Sequence, residues 1–295
     1  MVTGKRYAID FKMSDGSAKT VEFEVPVVEP EGLSYMKKVG NLRNLLDNSD
    51  FRNPVNQRGE KVYAYVDKYM HTIDRWNISS EGASVTVEDG YISKTASMSQ
   101  KIAGLDENKT YTAVVCSQGG TVSCYCGTIA NGIGSWYDNA YVYSGTEDLT
   151  IFALPARGYS EIQWAALYEG EYTAETLPEY KPKGYAAELA ECQRYYLSDG
   201  EYSWSIMQVA SGYAFCSIKL PVTMRVIPSI IENPKKKFMV YNNGWTEIDL
   251  SLFTTLYLQP GEMTFMVSMS KITNLQLESG KSYLISGIPA LSADL

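Results

Sequence analysis

The chain has 295 residues, 45% hydrophobic and 20% charged, with 23 Tyr against 8 Phe and a net charge of −8. That length holds two domains or one large β domain with appendages, and a Tyr-heavy balance suits half-buried strands and binding surfaces where one edge of the ring stays wet. The acidic balance argues against nucleic acid and anionic membranes as partners, because phosphate groups need clustered Lys and Arg, and no segment approaches the ~18 apolar residues of a membrane span.

Taken in chain order, residues 1–40 predict a β-hairpin and a linker. In YAIDFKM, Tyr7, Ile9 and Phe11 alternate with Ala8, Asp10 and Lys12; SDGS supplies a turn, and KTVEFEV alternates Val21, Phe23 and Val25. VPVVEPEG then reads as a connector. Residues 41–183 carry short alternating runs with turn signals between them, such as SVTVEDGYIS turning at Asp89-Gly90 and YTAVVCSQGGTVSCYC turning at Gly119-Gly120. Roughly nine strands at this spacing, with no helical period, predict a jelly-roll β-sandwich.

Residues 184–199 predict one connecting helix, because Tyr185, Leu189, Cys192 and Tyr196 recur at i, i+4, i+7 and i+11, with Ser198-Asp199-Gly200 as its stop. Alternation resumes over residues 200–295. Tyr202, Trp204 and Ile206 share one face, as do Met263, Phe265, Val267 and Met269, while YNNGW and QPGE are turns. The fold class is therefore all-β: a jelly-roll sandwich and a smaller C-terminal β-sandwich, joined by one short helix.

Motifs for catalysis and cofactors are missing. There is no G-x-S-x-G elbow. SGKS at 279–282 has Leu275 where a phosphate loop needs Gly, and GTIANGIGSW lacks dinucleotide spacing. The single His71 and the C-x-C pair Cys124 and Cys126 fit no metal spacing, so the five cysteines read as thiols without a disulfide framework. The start, MVTGKRYAID, has no apolar signal core, which points to synthesis in the cytoplasm without a signal peptide.

Two stretches stand out. NLLDNSDFRNPVNQRG, Asn44 to Gly59, holds four Asn and two Asp; Leu45, Leu46 and Phe51 are expected to anchor a first strand while the Asn and Asp groups cap turns around Pro54. GIGSWYDNAYVYSG is the candidate binding stretch. Ala140 and Val142 are expected to face a core, Asn139, Tyr141 and Tyr143 to face out, and Trp136 and Tyr137 to lie on the preceding loop. Aromatic rings offer flat apolar faces to the CH faces of sugars, and Asn and Asp groups bond hydroxyls.

Several phrases together carry a resemblance. NLLDNSDFRNPVNQRG followed by Asp74-Arg75-Trp76 resembles the opening of a module in phage and prophage tail proteins of gut Firmicutes. EIQWAALYEG followed by ELAECQRYY resembles its close. LPVTMRVIPSI, from Leu220 to Ile230, resembles the P-x-x-MR-x-x-P stretch of the distal tail-fibre domain, and KRYAIDFKMSDGSAKTVEFEVP resembles the segments that precede such modules.

The resemblance implies a non-enzymatic tail-fibre, or receptor-binding, protein of the virion tail. Its implied partners are a bacterial surface glycan and other phage tail proteins, and its implied assembly is a homotrimer. The middle module is similar to jelly-roll carbohydrate-binding modules, which often carry a structural calcium near the first strand. Asp47 and Asp50 are the candidate ligands here, although the usual closing acidic strand motif is missing; no other cofactor is implied. Two further readings are a structural tail or baseplate component that binds only virion proteins, and a depolymerase of surface polysaccharide, an enzyme type for which the chain shows no β-helix repeat.

Overall fold

The computed structural model describes residues 4–12, 18–26, 43–65, 70–78, 82–198, 204–231, 237–259, 262–286 and 290–293. The SDGS turn, most of the VPVVEPEG connector, Asp199-Gly200, Tyr202 and Pro260-Gly261 lie outside the described residues. The chain divides into two compact units, residues 1–43 and 44–295. In the first, β1 (Gly4–Lys12) and β2 (Ala18–Pro26) pair as the expected antiparallel hairpin, with Tyr7 opposite Phe23 and Ile9 opposite Val21.

The second unit begins with a jelly-roll-like β-sandwich. Its strands are β3 (Val62–Ala64), β4 (Met70–His71), β5 (Asn77–Ile78), β6 (Ser84–Glu88), β7 (Tyr91–Lys94), β8 (Met98–Ala103), β9 (Thr110–Ser117), β10 (Val122–Thr128), β11 (Ile133–Gly134), β12 (Tyr141–Ser144), β13 (Leu149–Leu154) and β14 (Glu161–Glu169). One sheet runs β10-β9-β14-β7-β6-β3 and the other β11-β12-β13-β8-β5-β4, every pairing antiparallel. Among the described residues these are twelve strands rather than roughly nine, since two-residue pieces such as β4, β5 and β11 are too short to show alternation.

The core lies between the sheets. Val85, Ile92, Val115 and Leu167 from one meet Ile78, Met98, Val142 and Phe152 from the other, all essentially inaccessible. β9 and β14 are buried on both faces, which is why EIQWAALYEG reads as a continuous apolar run. Their outer face lies under residues 170–182: Tyr180 stacks on Trp164 with centroids 4.2 Å apart, and Tyr172 meets the edge of Tyr168.

Asn44 to Gly59 contains no strand beyond an isolated bridge from Asp50 to Trp164, which corrects the expected first strand. A run with four Asn and a Pro cannot supply a regular ladder; its backbone is satisfied mainly by side chains. Asn44 Oδ1 accepts from the Leu46 and Leu167 N–H groups, at 3.1 and 3.0 Å, while its Nδ2 donates to Ser49 Oγ and the Ala165 carbonyl. Asn48 Nδ2 donates to the carbonyls of Val55 and Asp74, both at 2.8 Å, and its Oδ1 accepts from the Val55 N–H at 2.7 Å. Leu46, Phe51 and Val55 plug the end of the sandwich at zero exposure. The Trp76 indole donates to the Asn48 carbonyl and meets Phe51 and Phe152 edge-on.

The helix α1 runs Tyr185–Gln193 and ends before Tyr196. Of the face expected, Cys192 is buried in the helix, Leu189 is half-buried, Tyr185 is half exposed, and Tyr196, also buried, belongs to strand β15 (Tyr196–Leu197). The other buried helix residue, Glu188, carries no apolar signal; its carboxylate accepts from the Asn48 backbone N–H at 2.7 Å. Burial raises the Glu188 pKa and the Asn48 N–H opposes that rise.

Beyond the helix lies a second core. Its strands are β16 (Trp204–Ala210), β17 (Tyr213–Lys219), β18 (Ser229–Ile231), β19 (Met239–Tyr241), β20 (Trp245–Glu247), β21 (Thr254–Gln259), β22 (Glu262–Ser268), β23 (Ser282–Ser286) and β24 (Ala290–Ser292). They form a seven-stranded sheet, β20-β19-β23-β16-β17-β22-β21, and a three-stranded one, β15-β24-β18. Met263, Phe265 and Val267 are buried as the alternation predicts, and Asn242-Asn243-Gly244 turns β19 into β20. No helix among the described residues is long and apolar enough to cross a membrane.

Asn48→Ala removes three buried hydrogen bonds and strands the Val55 amide. It is expected to lower the unfolding free energy by about 3 kcal/mol, measured by chemical denaturation of the purified chain.

Candidate functional site

The outward face of the second sheet carries the feature that the alternation anticipates. Ala140 and Val142 point into the core at zero exposure, which turns Tyr141 and Tyr143 outward on β12. Their rings stack, with centroids 4.8 Å apart and planes 22° apart. Trp136, on the loop between β11 and β12, folds over both, 5.2 Å from Tyr141 and 5.8 Å from Tyr143. Trp136 nevertheless stays 46% exposed. Three rings thus make a single apolar shelf at the edge of a rigid sheet.

The loop beneath the shelf is tightly held. Gly134 has φ +69°, and a Cβ there would collide with the Ala140 carbonyl oxygen. Ser135 Oγ donates to Asp138 Oδ2 at 2.7 Å, closing the turn. Asn139 is its anchor: Nδ2 donates to Ser123 Oγ at 2.9 Å and Tyr125 Oη at 3.2 Å, and Oδ1 accepts from the Tyr159 N–H at 2.9 Å. The neighbouring turn, 155–158, presses Gly158 against the same loop, so that a Cβ would lie 2.9 Å from Asn139 Cα. Under that turn the Lys94 ammonium donates to the Pro155 carbonyl at 2.6 Å. Lys94 is 3% exposed, and burial lowers its pKa to about 8.

Of the residues expected at the site, Trp136, Tyr141 and Tyr143 come together. Tyr137 is 75% exposed and stands beside the Arg157 guanidinium, 5.0 Å from its ring centre. Asn139 is corrected from a hydroxyl-binding group to a structural one, because its amide is committed to Ser123, Tyr125 and Tyr159. Arg157, Lys94 and Gly158 escape sequence reasoning: they join the site from strand ends and turns remote in the chain, and carry no local signal.

The two aspartates also have other occupations. Asp47 accepts from Arg75 Nε at 3.1 Å and lies 3.5 Å from Lys183 Nζ, while Asp50 receives Arg52 through both oxygens at 2.7 and 3.1 Å. Cations already neutralise both carboxylates. Among the described residues no group of three or more His, Cys, Asp or Glu is placed to hold a metal ion.

No family model, curated protein or solved structure matches this chain.

Gly134→Ala forces a side chain onto a left-handed backbone and against Ala140. The expected outcome is a loss of about 2 kcal/mol in stability and greater acrylamide quenching of Trp136. Lys94 gives a pH signature. Its folded pKa lies below the ordinary 10.5, so the cost of burying its charge is complete below pH ~8 and is relieved as pH rises toward ~10.5. The stability of the native chain minus that of Lys94→Met should therefore increase by about 1–2 kcal/mol between pH 7.5 and 9.5, as read by urea titrations at each pH.

Proposed function

We propose that this chain is a non-enzymatic receptor-binding protein of a phage or phage-derived tail, and that the Trp136–Tyr141–Tyr143 shelf binds a glycan of the bacterial surface. The single observation that carries the glycan reading is the shelf itself. Three converging rings kept partly open to solvent, on a loop held by Gly134 and Asn139, offer the preformed apolar face that the CH side of a pyranose needs. The tail assignment is supported by the resemblance of the phrases from Asn44 to Ile230. Assembly as a homotrimer would turn weak single sites into useful avidity.

A second reading, a structural tail component that binds only other tail proteins, is favoured by a different surface. On the seven-stranded sheet Tyr241 pairs with both Trp245 and Leu284, and all three are at least 40% exposed. Exposed aromatic and aliphatic groups in one row suit a protein contact.

Glycan-array screening of the intact oligomer, followed by calorimetry on each hit, separates the readings. Trp136→Ala is expected to weaken glycan binding about tenfold or more without changing the melting temperature by more than a few degrees. No glycan binding by the native oligomer, together with recovery of baseplate proteins in pull-downs, would establish the structural component instead.

A further inference from the structure

The seven-stranded sheet of the second sandwich has two unlike faces. Val240, Ile285, Met207, Cys216 and Phe265 fill the core side at 2% exposure or less. Alternation turns their neighbours to the other side. There Trp245, Tyr241 and Leu284 stand in one cross-strand row on β20, β19 and β23, with the two aromatic rings 5.3 Å apart. Gln208 of β16 stands opposite both Ser282 and Phe215, which places Phe215 on the same face as Leu284, two residues from Ser282. Phe215 in turn lies opposite Met266 of β22 and 6.2 Å from the ring of Tyr213, which is exposed as the row of three is.

The charge of this face points to its partner. The chain carries a net charge of −8, yet the strands of this sheet bring only Lys219, Glu247 and Glu262 as charged residues. Lys219 stands directly opposite Glu262, and Lys237 neutralises Glu247 at 2.6 Å. A basic or an acidic partner finds no spare countercharge here. Two copies of an acidic chain, in contrast, meet without repulsion at a face whose charges sum to zero. The size fits as well. Seven strands side by side, the middle ones seven residues long, present on the order of 500 Å² in projection. With the relief of the side chains, that approaches the roughly 800 Å² per partner of a stable interface.

We propose that copies of this chain associate through the outer face of the seven-stranded sheet, each covering the same face of its neighbours, with the Trp245–Tyr241–Leu284 row as the anchor. Aromatic side chains in one rigid row are the groups that carry most of the energy of such contacts. In a closed ring every copy turns the face toward a common axis, so that the rows cover one another and no apolar sheet is left to propagate. The inference rests on the homotrimer assembly in the reading above and adds to it the surface that holds the copies together. It is independent of the glycan assigned to the shelf.

The test is sedimentation equilibrium of the intact chain over a wide concentration range. Leu284→Lys and Leu284→Glu each set like charges against one another in the assembled state. Either is expected to raise the dissociation constant of the oligomer about a hundredfold or more, while thermal unfolding followed by circular dichroism stays cooperative. Mixing the two variants in equal amounts should restore association, because opposite charges then meet across the contact. Tyr241→Ala is the milder change, expected to weaken association about tenfold, and it serves if a charged variant fails to fold. A native oligomer that none of these variants weakens overturns the inference and leaves the homotrimer standing. So does a mixture of the two folded charged variants that stays dissociated. A native chain that is monomeric at every concentration overturns the homotrimer itself. If that monomer recovers tail proteins in pull-downs and Leu284→Lys loses them, the face belongs to the contact of a structural component instead.

Discussion

Asn48 is the side chain on which the entry to the first sandwich depends. An irregular segment enters the end of a dry sandwich there, and each buried peptide group it brings needs a partner. Asn48 bonds both sides of the Val55 peptide region and the Asp74 carbonyl, its own N–H goes to Glu188, and its carbonyl accepts the Trp76 indole. One residue thereby sets the entry loop, the buried tryptophan and the position of the helix.

The network continues from there into the second sandwich. Asp74 accepts from the Gln57 backbone and side chain, and the Gln57 amide also reaches the Tyr196 carbonyl in β15. The Arg75 and Arg58 guanidinium groups stand over the rings of Tyr195 and Tyr196, 3.5 and 3.8 Å from the ring centres. Lys183 holds the Leu46 carbonyl and Glu191 together. Planar guanidinium groups stacked on rings lose less entropy than flexible contacts do, so this seam between sandwich, helix and β15 is built from rigid parts.

The same economy serves the aromatic shelf. Gln100 of β8 exchanges hydrogen bonds with the Asp47 backbone in both directions, and β8 pairs with β13, which pairs with β12. A shelf standing on a sheet pinned this way keeps its rings in one arrangement. Lys94 illustrates the compromise such a design accepts: its ammonium orders the 155–158 turn but loses hydration, which pulls its pKa down.

What the sequence by itself determined was whatever repeats locally. Period-two alternation placed Ala140 and Val142 inside and Tyr141 and Tyr143 outside, Asp89-Gly90 and Gly119-Gly120 marked true hairpin turns, and the all-β class followed from the density of such signals. What only the tertiary structure decided was where polar groups find partners. Asn139 reads as a hydroxyl-binding amide until Ser123, Tyr125 and Tyr159 close on it, and Asp47 and Asp50 read as metal ligands until Arg75, Lys183 and Arg52 neutralise them. Apolar side chains need only a direction, which backbone periodicity supplies, whereas a polar side chain needs a particular partner at hydrogen-bonding distance, and in this fold many of those partners stand dozens of residues away.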